Sequence, residues 1–94
     1  MFVTVTRIQA PKPALDQMAA AFRRSAPDLK QFAGFLGFEL WLNDTTLEAV
    51  ARWESRTAME AYTNSETFRG HHGGEGSQRG GGGQVEYFEG ETVV

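Results

Sequence analysis

Between Leu47 and His72 the chain reads L-E-A-V-A-R-W-E-S-R-T-A-M-E-A-Y-T-N-S-E-T-F-R-G-H-H, and this stretch holds the residues best suited to chemistry. A strand ending in Trp53 passes through Ser55 into a helical segment that carries Met59 and Tyr62. Ser65 opens a second segment with Phe68, and His72 lies one turn beyond Phe68. A helix lined by aromatic rings and ending in a histidine could present a neutral imidazole to a flat, apolar ligand. The ordinary alternative is a solvated histidine at a helix end, where the helix dipole favours the protonated ring. His71 points about 100° away round the helix and reads as exposed, a fallback ligand only.

The other aromatic residues near this stretch carry two readings each. Tyr62 could line a cavity and donate a hydrogen bond, or be a core ring with its hydroxyl at the surface. Trp53 reads as a packing residue at a strand end, and Phe22, Phe35, Phe38 and Phe68 as core. Trp41 could sit at an interface or line a cavity. Arg7 and Arg52 could each pair with a carboxylate across a sheet, or hold an acidic ligand group through bidentate bonds. Exposed pairing is the simpler expectation.

Other chemistries find no support. There is no cysteine, hence no disulfide and no thiolate. Two histidines without paired ligand spacing do not make a structural zinc site. No histidine lies on a strand-to-helix turn beside a nucleophile. The glycine-rich stretch H-H-G-G-E-G-S-Q-R-G-G-G-G follows a helix instead of opening one, and matches no phosphate-binding motif. The strand carboxylates Glu39 and Glu48 are most simply solvated.

The elements that must position these residues follow from pattern. Phe2 to Gln9 is rich in β-branched residues and reads as a strand, closed by Pro11 and Pro13. Leu15, Met18, Ala19, Phe22, Ala26 and Leu29 recur at helical spacing, with Pro27 ending or distorting the helix. After Gly34 comes a strand from Phe35 to Leu42. Strict alternation puts Leu36, Phe38, Leu40 and Leu42 on one side, and Phe35 and Trp41 on the other. Asn43-Asp44 turns the chain into a return strand from Leu47 to Trp53. Ser55 and Ser65 are the expected N-caps of two short helices. Gly70 to Gly83, with eight glycines in fourteen residues, reads as a flexible loop, either a plain connector or a lid beside His72. Gln84 to Glu89 is the last strand.

The order β-α-β-β-α-β predicts an α+β, ferredoxin-like fold with an antiparallel sheet. At 94 residues the chain is a single domain. The net charge of −3 argues against a nucleic-acid or anionic-membrane partner. No secretory signal or membrane-spanning run is visible, so a cytoplasmic protein is expected. The strand from Phe35 is apolar on both faces and needs cover on both. Two helices cover one face, so a second copy of the chain is expected on the other, as a homodimer.

Three segments carry a family resemblance: M-F-V-T-V-T-R-I, G-F-L-G-F-E-L-W, and W-E-S-x-x-A-x-x-A-Y-x-x-S-x-x-F-x-x-H-H. Together they resemble the antibiotic biosynthesis monooxygenase domain, closest to its heme-degrading branch. The resemblance implies a dimeric α/β barrel. In that branch an asparagine on the first strand and a tryptophan on the second helix act beside a histidine that binds heme iron. Carried over, the histidine falls on His72, the tryptophan on Tyr62 and the asparagine on Thr6. His72 is thus the implied iron ligand, with Tyr62, Trp53 and Phe68 shaping an apolar pocket and Thr6 facing the ligand. The plainer reading of Thr6, as a β-branched strand residue, needs no further reason and is the slightly favoured one. Heme would be substrate and cofactor, with an external reductant. Two alternatives remain: a cofactor-free oxygenase of phenols or quinols, and a non-enzymatic dimer that binds a small apolar or aromatic ligand.

Overall fold

The computed structural model describes residues 1–72 and 84–94, with residues 70–72 described by backbone alone. Strand β1 (Phe2–Gln9) leads into helix α1 (Lys12–Ser25). Pro11 at the α1 N-cap already has the extended backbone a cap needs, and Pro13 falls in the first turn, where no N–H is required. A 3-10 helix (Ala26–Gln31) continues from α1. The break is expected, because Pro27 cannot donate to the carbonyl four residues back.

Strands β2 (Phe35–Leu42) and β3 (Thr46–Trp53) form a hairpin. The Asn43 side-chain oxygen fixes its turn by accepting from the backbone N–H groups of Thr45 and Thr46 at 3.0 and 2.9 Å. Helices α2 (Arg56–Thr63) and α3 (Glu66–His72) precede β4 (Gln84–Glu89). Residues 70–72, expected at the start of the glycine-rich loop, instead close α3. The rest of that loop lies outside the described residues. No helix among the described residues is long and apolar enough to cross a membrane.

The sheet order is β2-β3-β1-β4, with every neighbouring pair antiparallel. This is the expected ferredoxin-like α+β fold, with its second helical region split into α2 and α3. The helices cover one face, where Leu47, Ala49, Ala51 and Trp53 are buried along β3. One core cluster joins Ile8 and Leu47 to Leu15 and Ala19 of α1. The other joins Phe2, Ala51 and Trp53 to Leu29, Met59 and Tyr62.

One expectation needs correction. Phe35 does not share a face with Trp41. A register shift between Phe35 and Gly37 pairs Phe35 with Trp53, and Phe38 with Ala51. The extra residue, Leu36, is exposed, and Phe35 joins Phe38, Leu40 and Leu42 on the helix side. A bulge reverses the side-chain alternation that strict pairing would enforce.

Candidate active site

The Leu47–His72 stretch folds around a box of aromatic rings. Trp53 ends β3 facing the helices and is fully buried. Ser55 then caps α2, its hydroxyl accepting from Ala58 N at 3.1 Å. The cap sets the phase that turns Met59 and Tyr62, three residues apart, onto the same buried face. The Tyr62 ring stacks on Trp53 with centroids 5.6 Å apart. Phe32 and Phe68 meet it edge-on, each at 5.2 Å. Phe35 packs edge-on against Trp53 at 5.3 Å. Edge-to-face and offset arrangements of this kind suit the ring quadrupoles.

The same box anchors α3. The Ser65 hydroxyl donates to the Tyr62 carbonyl at 2.6 Å and accepts from Phe68 N at 3.1 Å. Ser65 thus ties the end of α2 to the start of α3, and Phe68 presses α3 onto Tyr62. One turn later α3 ends at His72. The imidazoles of His71 and His72 lie outside the described residues, as therefore does the proposed contact with iron.

Tyr62 is 8% exposed. Burial, with the Asp28 carboxylate adding to it, pushes its hydroxyl from 10.0 up to about 12. At neutral pH Tyr62 is therefore an un-ionised phenol, able to donate a hydrogen bond but unable to act as a base. Its ring is enclosed by Trp53, Phe32 and Phe68, so its first role is to hold α3 in place.

Thr6 lies on the helix face of β1, half-buried, opposite Ala49 on one side and Val85 on the other. It is four residues along the strand from Phe2, which belongs to the Tyr62 cluster, a separation of about 13 Å. The fold thus brings Trp53, Tyr62 and Phe68 together and sets Thr6 apart on the same face. Arg7 pairs with Glu48 at 2.8 Å and Arg52 with Glu39 at 3.6 Å, all on the opposite face. Neither arginine is placed to hold an acidic group on the helix side.

The sequence reading placed β4 at Gln84–Glu89 but singled out no residue on it. Val85 and Tyr87 lie on the helix face, opposite Thr6 and Thr4, and both are exposed. Tyr87 stacks on Phe2 with centroids 6.0 Å apart. The alternation in Q-V-E-Y-F-E signals that these two residues share a face, but not which face it is. Among the described residues no group of three His, Cys, Asp or Glu side chains could hold a metal ion. Two shallow grooves lie outside the box: one of about 390 Å³ beside Arg7, Trp41 and Glu48 on the opposite face, and one of about 480 Å³ on the helix side, between Arg23, Lys30, Phe38 and the box residue Phe35. Both are wide open to solvent, so neither displaces the aromatic box as the candidate site.

Fold and site together describe a small ferredoxin-like α+β domain with an aromatic-lined helix face. Residues 1–74 match the family described as Antibiotic biosynthesis monooxygenase, and the chain belongs to it. No curated protein sequence matches the chain. Among solved structures it is similar to SnoaB, a cofactor-independent oxygenase from Streptomyces nogalater. The identity is 18%, with a TM-score of 0.77 over 99% of this chain and 95% of that one. It is also similar to MhuD, a heme-degrader from Mycobacterium tuberculosis with two hemes bound in its active site. There the identity is 26%, with a TM-score of 0.76 over 100% of this chain and 99% of that one. A mutant of MhuD binds two manganese protoporphyrin IX molecules per active site; it is 27% identical, with a TM-score of 0.75 over 100% and 98% of the chains.

Proposed function

We propose that this chain is a small monooxygenase that takes a flat aromatic substrate against the helix face of its sheet. Heme is the leading substrate and His72 its iron ligand. The observation that carries this reading is the anchoring of α3. Ser65 and Phe68 fix the helix to the Tyr62 ring, and the helix runs on to His72 as its last residue. The match to a heme-degrader along the whole chain supports it. When bound, heme would supply the iron that binds dioxygen, with electrons from an external reductant. The chain's own residues contribute packing and position: Trp53 supports Tyr62, Tyr62 holds Phe68, and Thr6 offers a hydroxyl farther along the same face.

A hemin titration followed by absorbance, on the wild type and on His72→Ala, tests the assignment. The expected result is a saturable Soret shift in the wild type that the variant loses. No shift, or the same shift in both, removes His72 as the ligand.

A second reading has its own support. Thr6 and an enclosed Tyr62 stand where the heme-degrading branch has an asparagine and a tryptophan. A cofactor-free oxygenase needs neither. There a bound phenol or quinol, as its anion, reduces dioxygen itself, and the protein supplies a dry pocket and hydrogen bonds. That reading predicts oxygen consumption with a naphthoquinol and no added heme. Absence of turnover with either substrate would leave a non-enzymatic binding domain.

We also infer a homodimer built on the face of the sheet that the helices leave bare. Trp41 and Phe88 on that face are 64% and 49% exposed, with half-buried Val3, Val5 and Val50 between them. Such an apolar patch calls for cover, and a second copy of the same face supplies it.

A further inference from the structure

We infer that Tyr87, on the edge strand β4, is the phenol that faces the substrate in this chain, and that it sets specificity for a small fused-ring phenol or quinol, the substrate class of the second reading above. The inference rests on the reading that a flat aromatic substrate binds the helix face, and it deepens that reading by assigning a residue.

The argument begins with a contrast between two tyrosines. Tyr62, which stands where the resemblance puts a functional aromatic residue, is 8% exposed and ringed by Trp53, Phe32 and Phe68. Tyr87 is 57% exposed on the same face of the sheet. One face of its ring rests on Phe2, which fixes its orientation. Its hydroxyl makes no hydrogen bond to a described residue.

The neighbours of Tyr87 complete a bed. Thr4 lies directly opposite it across the β1–β4 pair, and Thr6 opposite Val85. Directly opposed side chains are about 5 Å apart at Cβ, and alternate residues on one strand about 7 Å. Thr4, Thr6, Val85 and Tyr87 thus mark a patch about the size of two fused six-membered rings. Val85 brings an apolar side chain to the patch, and Thr4, Thr6 and Tyr87 bring three hydroxyl-bearing ones. A protein partner is a poor match for the patch. A stable interface needs about 800 Å² from each side, which four side chains do not supply. A small ring system stacked beside Tyr87, with an oxygen accepting from its hydroxyl, uses both properties of the patch.

The test measures Kd, KM and kcat for 1,4-dihydroxynaphthalene on the full chain as wild type, Tyr87→Phe and Tyr87→Ala, with hemin, which has no ring oxygen, as the comparison ligand. Because Tyr87 is exposed on an edge strand, both variants should keep a near wild-type Tm. Loss of one neutral hydrogen bond should raise Kd or KM roughly threefold to tenfold in Tyr87→Phe, with kcat little changed. Tyr87→Ala, which also removes the ring, should raise it further. Wild-type Kd and KM in both variants would overturn the assignment while leaving the substrate reading standing. A wild type that binds hemin alone would overturn the assignment, and one that binds neither compound would overturn both.

Discussion

At the scale of the residue, Tyr62 makes a prediction whose sign is fixed. Its hydroxyl titrates near 12 in the folded chain against 10.0 for an ordinary tyrosine. Between those values the folded state holds a proton that the unfolded state has released. Stability is therefore full below about pH 10 and falls as pH rises from about 10 towards about 12. Tyr62→Phe removes that titration. At pH 8 the variant should be less stable by about 0.5–1.5 kcal/mol, the usual net worth of a hydroxyl's hydrogen bond. By pH 11 the gap should have narrowed. Urea unfolding of both proteins at the two pH values checks this, since every other group titrates in both and cancels in the difference. A gap that stays constant would mean the Tyr62 hydroxyl is not shielded.

Two glycines separate backbone strain from simple crowding. Gly34 has φ of 86°, and a Cβ there would stand 2.6 Å from Ala58 Cβ. Gly34→Ala should cost about 2–4 kcal/mol, a left-handed backbone penalty plus overpacking. At Gly37 the added Cβ would meet the Arg52 guanidinium, which can swing away. Gly37→Ala should cost less than about 1 kcal/mol, a typical surface effect. Thermal unfolding of the pair gives the comparison directly.

At the scale of the element, Ser65 is the joint on which the site depends. Ser65→Ala leaves Phe68 N without its cap and removes the hydroxyl donor to the Tyr62 carbonyl, which keeps the Ser65 backbone N–H at 2.9 Å. Loss of an N-cap costs about 1 kcal/mol. On a helix of only seven residues that loss should fray the whole element. The expected result is a modest fall in Tm together with weaker hemin binding. Normal hemin affinity in Ser65→Ala would show that α3 does not deliver the ligand.

The elements themselves were largely legible in the sequence. Proline positions, serine caps and the Asn43 turn act locally, so they can be read without a partner strand. The bulge at Leu36 was not legible, because it exists only in the pairing of β2 with β3, and it moved Phe35 to the other face. The nearness of Trp53, Tyr62 and Phe68 followed from spacing along one stretch. The enclosure of Tyr62 did not, since Phe32 reaches it from just beyond the 3-10 helix, thirty residues earlier in the chain. Tyr87 was missed for the same reason. Its role depends on which side of β1 the last strand adds to, and on helices that leave that edge uncovered.

At the scale of the whole molecule, the open sheet face makes the last prediction. A chain of 94 residues buries only about 60–65% of its unfolded surface, so its own core leaves it marginal. Its bare face holds Trp41, Phe88, Val3, Val5 and Val50, and across it lie the ion pairs Arg7–Glu48 and Arg52–Glu39. Among the described residues Arg52 Nε is buried without a hydrogen-bond partner, 3.6 Å from Glu39. A second copy would shield the apolar side chains and tighten these pairs by excluding water. Val50 lies on an inner strand of this face, paired with Val5 and Glu39. Val50→Glu would set a carboxylate beside Glu39 at the centre of the contact, where two copies would bring four such charges together. The wild type should scatter light as about twice its 10.4 kDa at micromolar concentration, with a Tm that rises with protein concentration. Val50→Glu should scatter as the single chain, with a lower and concentration-independent Tm. A wild type that stays monomeric at those concentrations would remove the dimer and leave the bare face to another partner.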